Sequence, residues 1–443
     1  MTIFESSRLV IGLARLFSAT IVFVALLAPI QARAVVDGVI VSGPVDLTAR
    51  EGYVSMPDGG SIYSWGYSTG GAMQLPGPTL IVTAGQVVTV TLHNALPAAA
   101  GNVSIVFPGH TVTSTTGGVP GNLVQEAPVG GSVTYSFTAD QPGTYQYYSG
   151  TRTDFQVDMG LYGALIVRPA DPGCGYDLAE SCFDREYLFL LSTMDLQLHQ
   201  AAEQQAAGQG PIITSPGEYR PEYFMINGRA APDTMSEKYS PLLPNQPYNA
   251  LARMHPGEKM LLRIVGSGRI IHPFHTHGNH VRVIANDGRL LLSATDPSKL
   301  AGPSIFTIPA IPGGTTDAIF EWTGKDLGWD IYGHTPGDGS SCIPGSDGFD
   351  IHGSQEWCED HLRPIPVDIP ALSSLSFGGF YSGSPYLGAM GSLPPGEGGL
   401  NPNAGFSYMW HSHTEREMIN NDIFPGGMMT MLIIEAPGVA ITE

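Results

Sequence analysis

Histidines spaced two residues apart are the most chemically distinctive feature of this 443-residue sequence. His275 and His277 form one such pair, inside a short stretch that is rich in histidine. His411 and His413 form a second pair. Because side chains alternate in direction along an extended strand, residues two apart project from the same face. If the two strands pair, four imidazoles converge, and neutral imidazole is a ligand for copper, zinc, iron and nickel. The spacing therefore predicts a histidine-rich metal site.

The remaining histidines carry different expectations. His272 has the opposite strand parity from His275, so its side chain is expected to point away from the pair. His280 follows a glycine that can kink a strand, so the strand pattern does not fix the direction of its side chain. Both His272 and His280 are further candidate ligands. An isolated histidine, such as His199 or His361, is expected to be an ordinary polar residue with hydrogen-bond partners.

Two acidic residues continue the spacing of the second pair. Glu415 and Glu417 follow His413 at intervals of two. If the strand continues through them, their carboxylates fall on the histidine face, where they could bind a metal or transfer protons. Glu415 is therefore the candidate catalytic residue. The alternative is a solvated charge run, Glu415–Glu417, with no part in a site.

The sequence around the histidine pairs reads as β-rich. It contains 56 Gly and 36 Pro, a composition that favours short strands joined by turns. Strand-like runs occupy residues 79–83, 86–92, 132–137 and 162–167, and then 187–192, 223–228, 259–265, 280–285 and 428–435. A polar Ala/Gln-rich segment at 197–209 predicts a short helix. Regular short strands of this kind predict Greek-key sandwiches or barrels.

The strand pattern divides the chain into two β domains. We expect a first domain at residues 35–170, a linker at 171–184, and a second domain at 185–443 that contains both histidine pairs. An insertion at about 325–406, rich in Gly, Ser, Pro and Asp, interrupts the second domain. Long loops of this kind are functional or disordered, and this one ends immediately before the second pair, so we expect it to pack near the metal site.

Residues 1–34 have the features of a signal peptide. Basic residues precede an apolar run from Ala19 to Ile30, and small residues at Ala32 and Ala34 suit a cleavage site. The run is short for a bilayer span, so we predict a secreted or periplasmic protein without a membrane span in its mature form. An uncleaved anchor is the alternative.

Charge and cysteine usage fit export. The chain has 20 Lys and Arg against 40 Asp and Glu, a net charge of −20 that disfavours binding to nucleic acid. Cys174 and Cys182 are close in sequence, as are Cys342 and Cys358, so we expect two local disulfides, although four cysteines allow three connectivities.

Six motifs, in this order, resemble the multicopper oxidase family. They are residues 75–80 (LPGPTL), 143–147 (GTYQY), 160–167 (GLYGALIV), 224–228 (FMING), 272–278 (HPFHTHG) and 410–413 (WHSH). The resemblance covers nearly all of the chain after residue 34. It implies an all-β fold of two cupredoxin-like Greek-key β-sandwich domains, copper as the cofactor and oxidoreductase chemistry.

The resemblance is incomplete in the first domain. The family's trinuclear copper cluster takes eight histidines from four His-x-His pairs, two in the first domain and two in the last. Only the last two pairs are present here. Where the first-domain pairs should lie, the sequence has Val106 and Pro108, and then Tyr148 and Gly150. Valine, proline and glycine side chains cannot bind copper, so the resemblance implies half a cluster.

The family's type 1 copper site is also altered. Its cysteine position is occupied by Ser412 and its second histidine position by Glu417, while His272 matches its first histidine. Without a thiolate ligand no blue copper centre forms. An ordinary laccase mechanism is therefore not expected.

Three functions fit these observations. The first is an exported copper oxidoreductase with a reduced mono- or dinuclear histidine site, acting on small molecules or metal ions. The second is a non-catalytic protein for copper storage or delivery. The third is a structural module on a cupredoxin scaffold, since a fold alone does not define an activity. Two-domain relatives commonly form trimers, so a homotrimer is a further expectation.

Overall fold

The computed structural model describes residues 36–210, 219–363, 406–435 and 439–441. The predicted signal peptide, residues 1–34, lies outside the described residues, and so does the latter half of the predicted insertion, 364–405. None of the helices in the described ranges is long and apolar enough to cross a membrane.

The first part of the chain forms two sheets. Its elements are β1 (Val39–Ile40), β2 (Val45–Ser55), β3 (Ser61–Ser68), β4 (Gly77–Thr83), β5 (Gln86–Asn94), β6 (Thr113–Gly117), β7 (Ser132–Ala139), β8 (Gly143–Tyr148), α1 (Thr153–Gln156) and β9 (Tyr162–Arg168). One sheet has the strand order β3-β2-β5-β7-β6 and the other β1-β4-β9-β8. Alternation along β5 buries Val88, Val90 and Leu92 in the core, as a half-buried strand requires.

The second part repeats this arrangement. Its elements are β10 (Arg185–Met194), α2 (Leu196–Ala206), β11 (Tyr223–Ile226), β12 (Ala252–Met254), β13 (Lys259–Gly266), β14 (His272–Thr276), β15 (Val281–Asn286), β16 (Arg289–Leu290), β17 (Ser304–Ile305), β18 (Thr307–Ala310), β19 (Thr315–Glu321), β20 (Phe406–Ser412) and β21 (Met429–Ile434). One sheet runs β11-β10-β13-β19-β15-β16, with β17 beside β15, and the other runs β12-β21-β20-β14-β18. The predicted helix is confirmed as α2, which begins after Asp195, whose side chain accepts a hydrogen bond from the Leu198 amide.

Aromatic packing fixes the strands that carry the histidine pairs. Trp410 of β20 is fully buried, with its ring centroid 5.9 Å from that of Phe189, 6.3 Å from Phe274 and 5.2 Å from Phe320. These rings come from both sheets of the second part, so one face of β14 and β20 is held in the core. Residues of opposite parity on the same strands face away from it.

A buried charge network joins the two parts. Arg168 donates to both carboxylate oxygens of Glu186, at 2.6 and 2.5 Å, and Arg263 donates to one of them at 2.5 Å. Arg263 also donates to the Thr144 hydroxyl at 2.8 Å and contacts Asp317 at 3.3 Å. Because Arg168 and Thr144 belong to the first part, this network and the apolar cluster beside it link the two sandwiches.

The expected local disulfides are confirmed. Cys174 is bonded to Cys182, and Cys342 to Cys358. The second disulfide lies in the predicted insertion, whose described portion consists of turns with a short 3₁₀ segment at Cys358–Asp360. Residues Arg33–Glu443 form one compact unit, so the division at 171–184 stays a prediction.

Candidate metal centre

Strand pairing brings the two histidine pairs together. In the antiparallel register of β14 with β20, His275 lies opposite His411, and Phe274 lies opposite Ser412. Since Phe274 is buried in the core, His275 and His411 project from the other face of the sheet. His277 follows the end of β14, where Gly278 adopts a φ of +97° and turns the chain away against the ring of Tyr408.

Three histidines form a compact cluster. One ligand nitrogen from each of His275, His277 and His411 lies within 4.8 Å of the other two, and all three side chains are buried. The Nε2 atoms of His277 and His411 are 3.3 Å apart. The sequence spacing predicted four converging imidazoles, and the structure brings three of them together.

Hydrogen bonds behind the rings set their orientation. Nδ1 of His411 donates to the carbonyl oxygen of Ser412 at 2.7 Å, so its Nε2 is free of that proton and its lone pair faces the cluster. Nδ1 of His275 lies 2.7 Å from the hydroxyl of Thr307, the residue opposite it on β18. Such partners on the distal nitrogen fix the tautomer and direction of metal-binding histidines. Thr307 was missed at the sequence level, because only the β14–β18 pairing places it there.

The electrostatics favour neutral imidazoles. Burial, with the neighbouring rings of His411 and His413, lowers the pKa of His275 to about 4. Burial likewise lowers the pKa of His411. Only a deprotonated nitrogen binds a metal ion, so these two rings are in their ligand form at neutral pH.

The residues present fit a copper ion. Two nitrogens held about 2.0–2.1 Å from one ion at a tetrahedral angle would be about 3.3–3.4 Å apart, which matches the separation of the His277 and His411 Nε2 atoms. A set of imidazoles is also the donor set that copper and zinc take from proteins.

His413 and His280 are not among the three clustered histidines. The His413 ring lies 4.6 Å from that of His275, but its side chain is 50% exposed and its Nδ1 pairs with Glu415 at 3.1 Å. It is therefore at the rim of the three-histidine cluster. His280 lies outside the cluster, with its ring 5.0 Å from that of Phe306.

The prediction that Glu417 shares the histidine face was wrong. β20 ends at Ser412, and residues Glu415–Glu417 form a 3₁₀ turn, so the period-two alternation stops. Glu417 turns to the core side, where it accepts a hydrogen bond from the Ser412 hydroxyl at 2.5 Å and lies 2.9 Å from Nδ1 of His272. Glu415, the candidate catalytic residue, is 68% exposed beside His413.

His272, Ser412 and Glu417 thus occupy one buried polar group. His272 points away from the histidine cluster, as its strand parity predicted. The group holds the three positions that the family resemblance assigns to a type 1 copper, with a carboxylate hydrogen-bonded to both neighbours. None of these three residues supplies a thiolate.

We expect the copper-loaded protein to lack the intense blue absorption of a type 1 site. That absorption needs a cysteine thiolate bound to copper, and Ser412 stands in its place. Visible absorption after copper loading and dialysis checks this result, and a strong blue band in the unmodified protein would contradict it. Ser412→Cys provides the comparison, because it places a thiol at the Glu417 carboxylate oxygen that His272 also contacts, and it should gain charge-transfer absorption.

The corresponding positions of the first part are filled by apolar packing. Val106 pairs with Tyr148 across an antiparallel bridge, in which the Val106 amide donates to the Tyr148 carbonyl at 2.8 Å. A Cβ atom on Gly150 would lie 2.7 Å from the Val106 side chain, so this glycine is in close contact with it. These residues offer no imidazole.

The paired sandwiches and the His-x-His strands are features of multicopper oxidases. Residues 59–172 match the family model described as multicopper oxidase. The predicted resemblance to this family is confirmed.

Curated relatives and solved structures agree with this resemblance. The chain is 26% identical over 298 residues to copper resistance protein A of Pseudomonas syringae pv. tomato, covering 62% of this chain and 46% of the relative. It is 29% identical over 255 residues to L-ascorbate oxidase of Cucurbita maxima, covering 50% and 42%. The chain thus spans less than half the length of these relatives.

Two solved structures share the fold. Multicopper oxidase mgLAC superposes with a TM-score of 0.53 at 20% identity, covering 90% of this chain and 88% of the other. The blue copper oxidase of Nitrosomonas europaea gives 0.52 at 19% identity, covering 88% and 85%. The predicted cupredoxin-like β-sandwich fold is confirmed, and copper is the metal for which these relatives are named.

Proposed function

We propose that this chain is an exported copper-binding oxidoreductase that uses a reduced mono- or dinuclear copper site. His275, His277 and His411 are its ligands, and His413 at the rim is a fourth candidate. The observation that carries the proposal is the buried convergence of three ring nitrogens within 4.8 Å of one another. Copper bound there would supply one-electron redox chemistry.

The chain's own residues define what the centre could do. The three inner rings bind and orient the ion, while Thr307 and the Ser412 carbonyl hold two of those rings in place. The side of the cluster at His413 is open to solvent. A small molecule or oxygen could approach a bound ion from that side, with Glu415 close enough to His413 to exchange protons.

The names of the curated relatives indicate only a broad class of substrate. Curated relatives carry the names copper resistance protein A and L-ascorbate oxidase. A small reductant or a copper ion is therefore the substrate class that we propose. Export to the periplasm or outside the cell, the two-domain division and a homotrimer belong to the same proposal.

Copper storage or delivery is the second candidate function. The absence of a cysteine at residue 412 removes the family's electron-entry site. A centre without that site could hold copper without turning over. The choice between the two functions rests on activity, since both require the same ligands.

Oxygen uptake tests the proposed function. Copper-loaded protein, mixed with ascorbate or a phenol, should consume oxygen in a copper-dependent manner, and the His275→Ala/His411→Ala variant should not. Dialysis removes free copper before the assay. Copper-loaded His93→Ala is the matched control and should keep the oxygen uptake, because His93 pairs with Asp46 on the surface. Stoichiometric copper binding without any turnover would reject the oxidoreductase and favour storage or delivery.

A further inference from the structure

A second group of metal-ligand side chains lies in the insertion. Asp330, His334, Glu356 and His361 each offer one ligand atom within 4.8 Å of the others. They share no residue with the histidine cluster on β14 and β20. The sequence suggested no such group, and His361 was expected to be an isolated polar residue.

Each of the two histidines has its Nδ1 atom close to both carboxylates. Nδ1 of His334 lies 3.1 Å from Oδ2 of Asp330 and 3.6 Å from Oε1 of Glu356. Nδ1 of His361 lies 3.8 Å from the same Asp330 oxygen and 2.7 Å from the same Glu356 oxygen. Four donors about 2.0–2.2 Å from one zinc ion in a tetrahedral site would be about 3.3–3.6 Å apart. The observed separations bracket that range.

Burial makes the charge in this group costly without a cation. The side chains of Asp330 and Glu356 are only 1% and 4% exposed. In the portion of the chain that the structure describes, the ion-pair partners of these two carboxylates are His334 and His361 rather than lysine or arginine. A divalent ion would neutralise both carboxylates and leave the imidazoles uncharged.

The surrounding backbone holds the group in place. Asp330 accepts hydrogen bonds from the amides of Tyr332 and Leu362, both at 2.9 Å, so both of its oxygens are oriented. The Asp330 amide donates to the Arg363 carbonyl at 2.8 Å, which ties residues 330–334 to the segment that contains His361. The disulfide between Cys342 and Cys358 closes the loop between these segments. Hydrogen bonds and a disulfide therefore constrain the loop that carries the four ligands.

We propose that Asp330, His334, Glu356 and His361 form a binding site for a divalent transition metal of the zinc class. Two nitrogen and two oxygen donors complete a four-coordinate set, and histidine nitrogen and carboxylate oxygen are both ligands that zinc takes in proteins. The ion would hold the insertion in place, and Ile331 of the insertion belongs to the apolar cluster that includes Tyr408 of β20. The site is independent of the proposed copper centre.

Zinc binding tests the proposal in a background that lacks the copper centre. The His275→Ala/His411→Ala protein is stripped with a chelator, dialysed against zinc chloride and assayed by mass spectrometry of metals. We expect one zinc ion per chain, lost on adding His334→Ala and His361→Ala. Adding His352→Ala instead should leave the zinc in place, because His352 is an exposed histidine of the same loop that pairs with Asp350.

A second measurement covers the case in which the alanine variants misfold. Glu356→Gln keeps the side-chain volume and removes one charged donor, so it should weaken zinc binding at least about tenfold while circular dichroism stays unchanged. Cobalt(II) in place of zinc should give the visible absorption of a tetrahedral site, absent in Glu356→Gln. Equal zinc content with and without His334 and His361, or no zinc in the starting background, would overturn the proposal and leave an ion-pair network only.

Discussion

The His275→Ala/His411→Ala variant will lose the copper bound at the histidine cluster, with its affinity for that copper falling by more than about 100-fold. The two residues face each other across β14 and β20 and supply two of the three converging nitrogens. Changes to groups that merely orient ligands cost about 10–100-fold, so removal of two ligands should cost more. Copper bound per chain, measured by metal analysis after dialysis at defined free copper, checks the result.

Two single variants sharpen this prediction. His280→Ala is the matched control, because His280 lies in the same histidine-rich stretch but outside the cluster, and it should bind copper as the unmodified chain does. His413→Ala should weaken binding less than His411→Ala, since His413 is at the exposed rim. Undiminished copper binding in the double variant, with loss in His280→Ala, would place the ion elsewhere.

The Glu186→Leu variant will be strongly destabilised, by about 3–5 kcal/mol in the free energy of unfolding. Glu186 is fully buried and pairs with both Arg168 and Arg263, so its removal leaves Arg168 without its carboxylate partner and Arg263 with Asp317 alone. Burial alone would raise the pKa of Glu186, yet the two arginines hold it below its ordinary value. Chemical denaturation followed by circular dichroism measures the loss.

An exposed ion pair provides the control for this experiment. Lys259 and Glu321 lie 3.5 Å apart, and both side chains are about half exposed. Glu321→Ala should therefore change the free energy of unfolding by no more than about 1 kcal/mol. Equal effects of Glu186→Leu and Glu321→Ala would show that the buried network does not hold the two sandwiches together.

The alternation of side-chain direction along strands made the fold and the centre of the site predictable. The strand-like runs correspond to strands such as β5, β7 and β13, and the two His-x-His spacings correctly indicated that His275 and His411 share a face. The missing thiolate and the missing first-domain histidines were also visible in the sequence, because family motifs on either side fixed those positions.

Features that depend on where a strand stops, or on distant pairing, were not predictable. β20 ends at Ser412, and the turn that follows sends Glu417 to His272 instead of to the histidine face. Thr307 reaches His275 only through the register of β14 with β18. The group around His361 joins residues separated by loop segments without periodicity, so no spacing rule reveals it.

Anomalous X-ray scattering at the copper absorption edge tests the central claim most directly. Crystals of the copper-loaded protein should show an anomalous difference peak within bonding distance of Nε2 of His277 and Nε2 of His411, beside the His275 ring. The buried group of His272, Ser412 and Glu417 should show none. A peak at that group, or no peak at the three histidines, would contradict the account.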